Sequence, residues 1–217
     1  MATQFTQTRY WANRLMGMSL GLLLAPLVLA DDNAAQQLTQ RLEPVKSYTA
    51  DFKQVVEGAK GQQLQQAEGQ TWIARPGKFR WVVNAPYAQT VVSDGRLIHL
   101  FDPDLEQVTV RKLDPKVTNT PALLLSGRAS DLTSSYNVSL KRQGDNDVFQ
   151  LTPKTQDTLF DGLSMSFKGQ QLTGLDMQDA SGQHTHITFS KVVPNGPIQA
   201  GMFDFKAPDG AEVIQEN

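Results

Sequence analysis

Residues 66–83 read QAEGQTWIARPGKFRWVV, and this stretch decides the fold. Two extended runs, Gln66–Ala74 and Lys78–Val83, are rich in aromatic and β-branched residues. The residues between them, Arg75-Pro76-Gly77, form a turn signal. A turn this short joins two strands only as a hairpin, so the pair is predicted to be antiparallel.

Similar runs continue along most of the chain, and turn residues separate them at Ser93-Asp94-Gly95, Gly144-Asp145-Asn146 and Ser181-Gly182. They predict an antiparallel meander, preceded by a first strand that begins at Tyr48. The further predicted strands are Gln89–Val92, Leu97–Phe101, Gln107–Leu113, Tyr136–Arg142, Val148–Thr152, Leu163–Phe167, Leu172–Gln178, His184–Val192 and a short Phe203–Lys206.

Two helices are predicted beside these strands. The first follows the possible N-caps Asp31, Asp32 and Asn33, has Leu38, Leu42 and Val45 on one face, and ends at Pro44–Ser47. The second has Thr120 as N-cap and Pro121 in its first turn, and Gly127 stops it. Residues Asp131–Tyr136 fit either a further helical turn or a loop.

These elements predict one large, curved antiparallel sheet, because a sheet of about ten strands curls or splits rather than staying flat. Curling produces an apolar concave face, and the two predicted helices are expected to cover it. The fold class is therefore mainly β, an incomplete barrel with a helical lid that encloses an apolar cavity.

The N-terminus has the three parts of a secretory signal peptide. Arg9 and Arg14 precede the apolar run 15–29, and Ala30 ends a small-residue cleavage site. A membrane anchor is the alternative, but the run is short for a bilayer and contains Pro26. We predict a signal peptide at residues 1–30 and a single domain at residues 31–217.

Charge and cysteine content exclude several classes of function. The chain has 20 basic and 22 acidic residues, a balance that disfavours a nucleic-acid binder. It has no cysteine, which excludes disulfides, thiol nucleophiles and thiolate metal sites. A lipid anchor would need a cysteine directly after the signal peptide, and that position is Asp31.

Several motifs occur in an order and spacing that resembles the outer-membrane lipoprotein carrier family LolA. The resemblance covers nearly the whole chain after residue 30, and its strongest signal is the combination of the first two motifs. These motifs are residues 75–81 (RPGKFRW), 92–95 (VSDG), 101–109 (FDPDLEQVT), 119–125 (NTPALLL), 52–54 (FKQ) and 151–154 (LTPK).

The resemblance implies an open β-barrel whose apolar cavity holds acyl chains under a helical lid. It implies as partners lipoproteins, an inner-membrane ABC lipoprotein exporter and an outer-membrane lipoprotein receptor. The receptor relatives are lipidated, so the missing cysteine favours the carrier. It also implies that Arg75 hydrogen-bonds the lid, whereas the residues alone favour a solvated turn arginine. We expect a monomer in the periplasm.

Aromatic and leucine side chains on the predicted strands and helices are the candidates for the acyl cavity. The same residue types also build an ordinary core, so the residues alone leave both interpretations open. The candidates are Phe52, Trp72, Phe79, Trp81, Val92, Leu100, Leu38, Leu42, Pro121, Leu123 and Leu124.

Enzymatic interpretations find little support in the sequence. His184 and His186 share a strand face, but no third metal ligand lies near them. Ser93-Asp94-Gly95 is a turn and not a nucleophile elbow. We expect no enzyme activity and no cofactor. A periplasmic module of the same half-barrel fold that binds or senses a lipid or glycolipid is the alternative function.

Overall fold

A computed structural model describes residues 32–114, 120–155 and 160–216. The described part contains three helices and one twelve-stranded sheet. The predicted division at Ala30 lies outside these residues and stays a prediction. The helices are α1 (Asp32–Leu42), α2 (Pro121–Ser126) and α3 (Ala129–Ser135).

The strands follow the predicted order and mostly extend the predicted bounds by one to three residues. They are β1 (Ser47–Glu57), β2 (Gln63–Ala74), β3 (Lys78–Val83), β4 (Gln89–Asp94), β5 (Leu97–Asp102), β6 (Gln107–Lys112), β7 (Tyr136–Gln143), β8 (Asn146–Pro153), β9 (Phe160–Lys168), β10 (Gln171–Asp179), β11 (His184–Pro194) and β12 (Glu212–Gln215).

The sheet is open, with β12 and β7 at its two edges and β1 near its middle. Its order is β12-β6-β5-β4-β3-β2-β1-β11-β10-β9-β8-β7. Each consecutive pair from β1 to β6 and from β7 to β11 is antiparallel. β1 joins the two halves by pairing with β2 on one side and β11 on the other. The prediction of an open antiparallel sheet with short helices is confirmed.

The C-terminus differs from the prediction in two ways. Residues Phe203–Lys206 are not a strand, and Glu212–Gln215 pairs in parallel with β6. The physical reason is that residues 202–205 lie across a face of the sheet and not along its edge. The Arg80 guanidinium donates to the carbonyls of Met202 (2.8 Å) and Asp204 (3.2 Å), and Phe205 stacks on His99.

Local signals account for the helices. The Thr120 hydroxyl accepts a hydrogen bond from the Leu123 amide at 3.3 Å, and Pro121 opens α2, as predicted. Gly127 ends that helix. The open alternative at 131–136 resolves as helix, because α3 runs to Ser135 before β7 begins. Asp31, named as a possible N-cap, and Asn119, the first residue of the motif at 119–125, lie outside the described residues.

The register of the strands separates the two faces of the sheet. On the inner face Phe52 lies opposite Gly69, which lies opposite Val83, and Ile73 lies opposite Phe79. Buried side chains of α1, α2 and α3 meet this face and form one continuous apolar cluster with it. Their burial is the main stabilising contribution, at about 25 cal/mol per Å² of apolar surface.

Candidate functional site

Arg75 lies at the end of β2 and bonds to both helices that cover the inner face. Its Nε donates to the carbonyl of Leu125 at 2.8 Å, and its Nη1 donates to the carbonyl of Leu42 at 2.5 Å. Leu42 is the last residue of α1, and Leu125 lies in the last turn of α2. Both carbonyls belong to helix C-termini, which lack intrahelical donors and carry partial negative charge. One guanidinium thus joins α1, α2 and the sheet.

The backbone beside Arg75 adds a second tie to α2. The Gly77 amide donates to the carbonyl of Ser126 at 2.9 Å. Gly77 has a φ of +76°, which L side chains rarely adopt, and a Cβ there would lie 2.9 Å from Leu113 Cδ2. The Pro76-Gly77 turn therefore needs its glycine to present this amide to α2.

Burial of the Arg75 side chain disfavours the charged form of its guanidinium. Desolvation lowers the pKa of Arg75 to about 10, so the guanidinium is still charged at neutral pH. The hydrogen bonds to the helix carbonyls offset this desolvation, and they exist only while α1 and α2 are docked. The closed arrangement is therefore a balance between two opposing contributions.

Most of the predicted cavity residues meet in the apolar cluster beneath these helices. Phe52 and Trp81 stack with ring centroids 4.2 Å apart, and Phe189 packs edge-on against Trp81 at 6.4 Å. The structure brings together seven of the candidates, all buried in one cluster: Leu38, Leu42, Phe52, Phe79, Trp81, Leu123 and Leu124.

Leu100 and Pro121 lie at the margin of this cluster. Leu100 pairs with Val91, which pairs with Trp81, so all three share the inner face. Pro121 lines a depression of about 460 Å³ together with Trp81 and Val91. Both residues are half-buried.

The placement of Trp72 and Val92 in the cavity is wrong. Both lie opposite Arg80 in the strand register, so they share the outer face with it, away from Phe79 and Trp81. Val92 is fully buried, but beside Arg80 and His99, the residues that contact the C-terminal segment. Alternation along a strand makes this assignment unavoidable, because neighbouring residues point to opposite faces.

The other half of the sheet supplies residues of the same buried cluster that the sequence interpretation missed. Part of their signal was present in the sequence, since Leu163, Met165 and Phe167 alternate with Ser164 and Ser166 along β9. Phe149 and Phe167 pack edge-on with centroids 5.6 Å apart. The missed residues include Phe149, Met165, Phe167, Leu175, Ile187 and Phe189.

The interior is nearly filled when the helices are docked. A void of about 30 Å³ remains between Arg75, Leu42 and Phe167, roughly the space of one water molecule. Larger depressions flank α2, one of about 460 Å³ beside Pro121 and one of about 360 Å³ beside Leu132. The first of these depressions reaches Trp81 and Val91 of the inner face while the helices are docked, whereas the leucines of α1 are packed into the buried cluster.

The histidine pair lies on the outer face of β11. The His184 and His186 rings stack with centroids 6.0 Å apart, and His186 lies between Asp176 (Nδ1 to Oδ1, 2.5 Å) and Glu57 (Nε2 to Oε2, 3.6 Å). No group of three or more His, Cys, Asp or Glu side chains in the described ranges is arranged to hold a metal ion.

Comparison with known proteins places this architecture in a family. Residues 43–206 match the family described as "Outer membrane lipoprotein carrier protein LolA". The chain belongs to this family. A LolA-family relative from Chromohalobacter salexigens, named outer-membrane lipoprotein carrier protein, is 51% identical over 201 residues, covering 92% of this chain and 96% of the relative. One of the same name from Pseudomonas fluorescens is 45% identical, covering 94% of this chain and 100% of the relative.

A solved structure shares the fold described above. An uncharacterized conserved protein from Thermus thermophilus superposes with a TM-score of 0.54 at 10% identity, covering 84% of this chain and 99% of that one. Among the described helices, none has the length and apolar character to cross a membrane. The predicted family and the predicted class of function, a lipoprotein carrier, are confirmed.

Proposed function

We propose that this LolA-family protein shelters the acyl chains of lipoproteins on the inner face of its sheet while they cross the periplasm. The observation that carries this proposal is the fastening of α1 and α2 over an apolar sheet face by one arginine through backbone carbonyls. These hydrogen bonds can break and re-form while the strand pairing of the sheet stays intact. The role is non-covalent carriage, without catalysis and without a cofactor.

Energetics explain why a carrier needs helices that compete with its cargo. Transfer of each methylene from water to an apolar site is worth about 0.8 kcal/mol, so several acyl chains in an open trough would bind almost irreversibly. Here the leucines of α1 and α2 occupy the same apolar face in the closed state. Their return to that face offsets part of the cargo's binding free energy and so permits transfer.

The direction of transfer follows from the proposed partners. An inner-membrane ABC lipoprotein exporter would load the open protein, and an outer-membrane lipoprotein receptor would take the cargo as the helices close. Phe52, Phe79 and Trp81 would contact the acyl chains on the sheet side, and Leu38, Leu42, Leu123 and Leu124 on the helix side.

The protein purified without cargo should bind an apolar fluorescent probe with saturable, stoichiometric uptake, because the inner face becomes accessible whenever a helix opens. A triacylated lipoprotein should displace the probe. Fluorescence titration measures both steps.

The matched control is the same lipoprotein without its acyl chains, which should leave the probe bound. Equal displacement by both forms would contradict an acyl site. Displacement by free lipid or glycolipid but by no lipoprotein would instead support the lipid-binding or sensing alternative.

The mature protein isolated from cells should begin at Asp31 and carry no lipid, because Ala30 ends a cleavage site and no cysteine follows it. Intact mass spectrometry of the periplasmic fraction measures both features. Retention of residues 1–30 would contradict a freely diffusing shuttle.

A further inference from the structure

A second arginine fastens α1 to the opposite half of the sheet. Arg41 lies in the last turn of α1, and its Nη2 forms a salt bridge with Asp147 Oδ2 of β8. Its Nη1 donates to the carbonyl of Gly169, in the turn between β9 and β10, at 2.8 Å. Arg75 therefore reaches α1 from β2, whereas Arg41 ties α1 to strands on the far side of β1.

The surroundings of Arg41 make this contact stronger than a surface ion pair. The side chains of Arg41 and Asp147 are only 14% and 20% exposed. The guanidinium carbon lies 5.2 Å from the ring centroid of Phe149 and 5.4 Å from that of Phe167, within the range of cation–π attraction. Both rings are buried in the apolar cluster. Loss of Asp147 would leave the Arg41 charge without its counter-ion above two phenyl rings, which is costly.

The hinge of α1 is held separately. Asn195, at the end of β11, accepts hydrogen bonds from the amides of Lys46 (2.7 Å) and Ser47 (3.2 Å) with its Oδ1. Its Nδ2 donates to the carbonyl of Pro44 at 3.0 Å. These bonds fix the connection between α1 and β1, so α1 can swing from residues 44–47 once its other contacts break.

α2 contacts β2 and β3, in the half of the sheet that Arg41 does not reach. Its backbone carbonyls accept hydrogen bonds from Arg75 and Gly77, both in the β2–β3 turn. Arg41 makes no hydrogen bond to α2 in the part of the chain that the structure describes. Arg75 therefore serves both helices, whereas Arg41 ties only α1 to the sheet.

We propose that Arg41 and Asp147 form a second latch that keeps α1 closed independently of Arg75. Release of Arg75 frees α2, but α1 opens fully only when the Arg41–Asp147 contact also breaks. The helices then uncover the inner face in two steps, first beside β3 and β4 and then beside β8 and β9. This proposal rests on the carrier function proposed above, since opening serves to admit acyl chains.

Thiol labelling can follow each helix separately, because the chain has no native cysteine. Ala34→Cys reports on α1 and Ala122→Cys reports on α2, and both alanines are buried and small. Val92→Cys, buried on the outer face, reports on global unfolding. Labelling rates are measured without lipid in four backgrounds: native, Asp147→Asn, Arg75→Leu and Arg142→Gln.

Asp147→Asn should raise the labelling rate of the Ala34→Cys reporter by about tenfold or more, as expected for loss of a hydrogen-bonded charge pair. The rates of the Ala122→Cys and Val92→Cys reporters should stay within about twofold. Arg75→Leu should have its larger effect on the Ala122→Cys reporter. Arg142→Gln is the comparison variant: Arg142 lies near Asp147 (3.8 Å) and donates to Gln37 of α1 at 3.5 Å, but it is 71% exposed. It should therefore change the rate of the Ala34→Cys reporter by no more than about twofold.

Arg41→Lys provides a second test that retains the charge. A lysine cannot bond Asp147 and Gly169 in the same forked geometry, so it should raise the rate of the Ala34→Cys reporter by less than Asp147→Asn does. An unchanged rate at the Ala34→Cys reporter in both variants would overturn the second latch, as would equal increases at all three reporters. Failure of probe binding would sink the carrier proposal and leave these labelling rates unaffected.

Discussion

An Arg75→Leu variant is expected to accept lipoprotein and then fail to hand it on. Leucine removes both hydrogen bonds to the helix carbonyls, at Leu42 and Leu125, and keeps an apolar side chain at the site. Hydrogen bonds to a charged donor are worth about 1.5–3 kcal/mol, so the opening equilibrium should shift by about tenfold or more. Acyl chains would enter more readily, and the helices would no longer compete effectively to displace them.

The measurement pairs two steps, acceptance from inner-membrane vesicles and release to the outer-membrane receptor. Acceptance should be retained or increased, whereas release should fall by at least about tenfold. Arg96→Leu is the matched control, since it removes the same charge from an exposed turn of the neighbouring hairpin. Loss of both steps in a folded Arg75 variant would make Arg75 part of the ligand site. Unchanged release would make it a structural turn residue.

The strands could be predicted because each strand boundary carries its own turn chemistry. Gly95 and Gly182 both have positive φ, and each lies in the turn between two predicted strands. Gly201 and Gly210 also have positive φ, yet the residues between them do not form a strand. The residues FDFK at 203–206 alternate like a strand, yet the segment is held across the outer face by bonds from Arg80. Alternation alone does not distinguish a strand from an irregular segment whose Phe205 ring packs against His99 and Phe101 of the sheet.

Some residues of the candidate site could be predicted from the sequence, and others could not. Arg75 could be predicted from the motif that contains it, whereas the apolar character of Trp72 and Val92 does not show which face of the sheet they occupy. Both residues pair with Arg80, the neighbour of Phe79, so the register of the two hairpins puts them on the outer face. Arg41 had no usable signal, because its partner Asp147 lies 106 residues away and the pairing depends on the curvature of the whole sheet.

The close approach of β2 and β3 beneath the aromatic stack depends on Gly69. A Cβ at this position would lie 1.8 Å from the carbonyl oxygen of Val82 and 2.9 Å from Phe52 Cζ. Neither neighbour can yield cheaply, because the carbonyl belongs to a paired strand and the Phe52 ring is stacked on Trp81. The φ of Gly69 is not in the left-handed range, so the requirement for glycine is one of space.

A Gly69→Ala variant should therefore lose about 3 kcal/mol or more of its free energy of unfolding, at the upper end of overpacking effects. The gain from restricting the unfolded chain, about 0.4–1 kcal/mol, is too small to compensate. Gly162→Ala in β9 is the matched control. A Cβ there meets nothing within 4 Å, so its stability should stay within about 1 kcal/mol of the native chain. Urea unfolding of the three proteins measures the difference, and equal midpoints would contradict the strand contact described here.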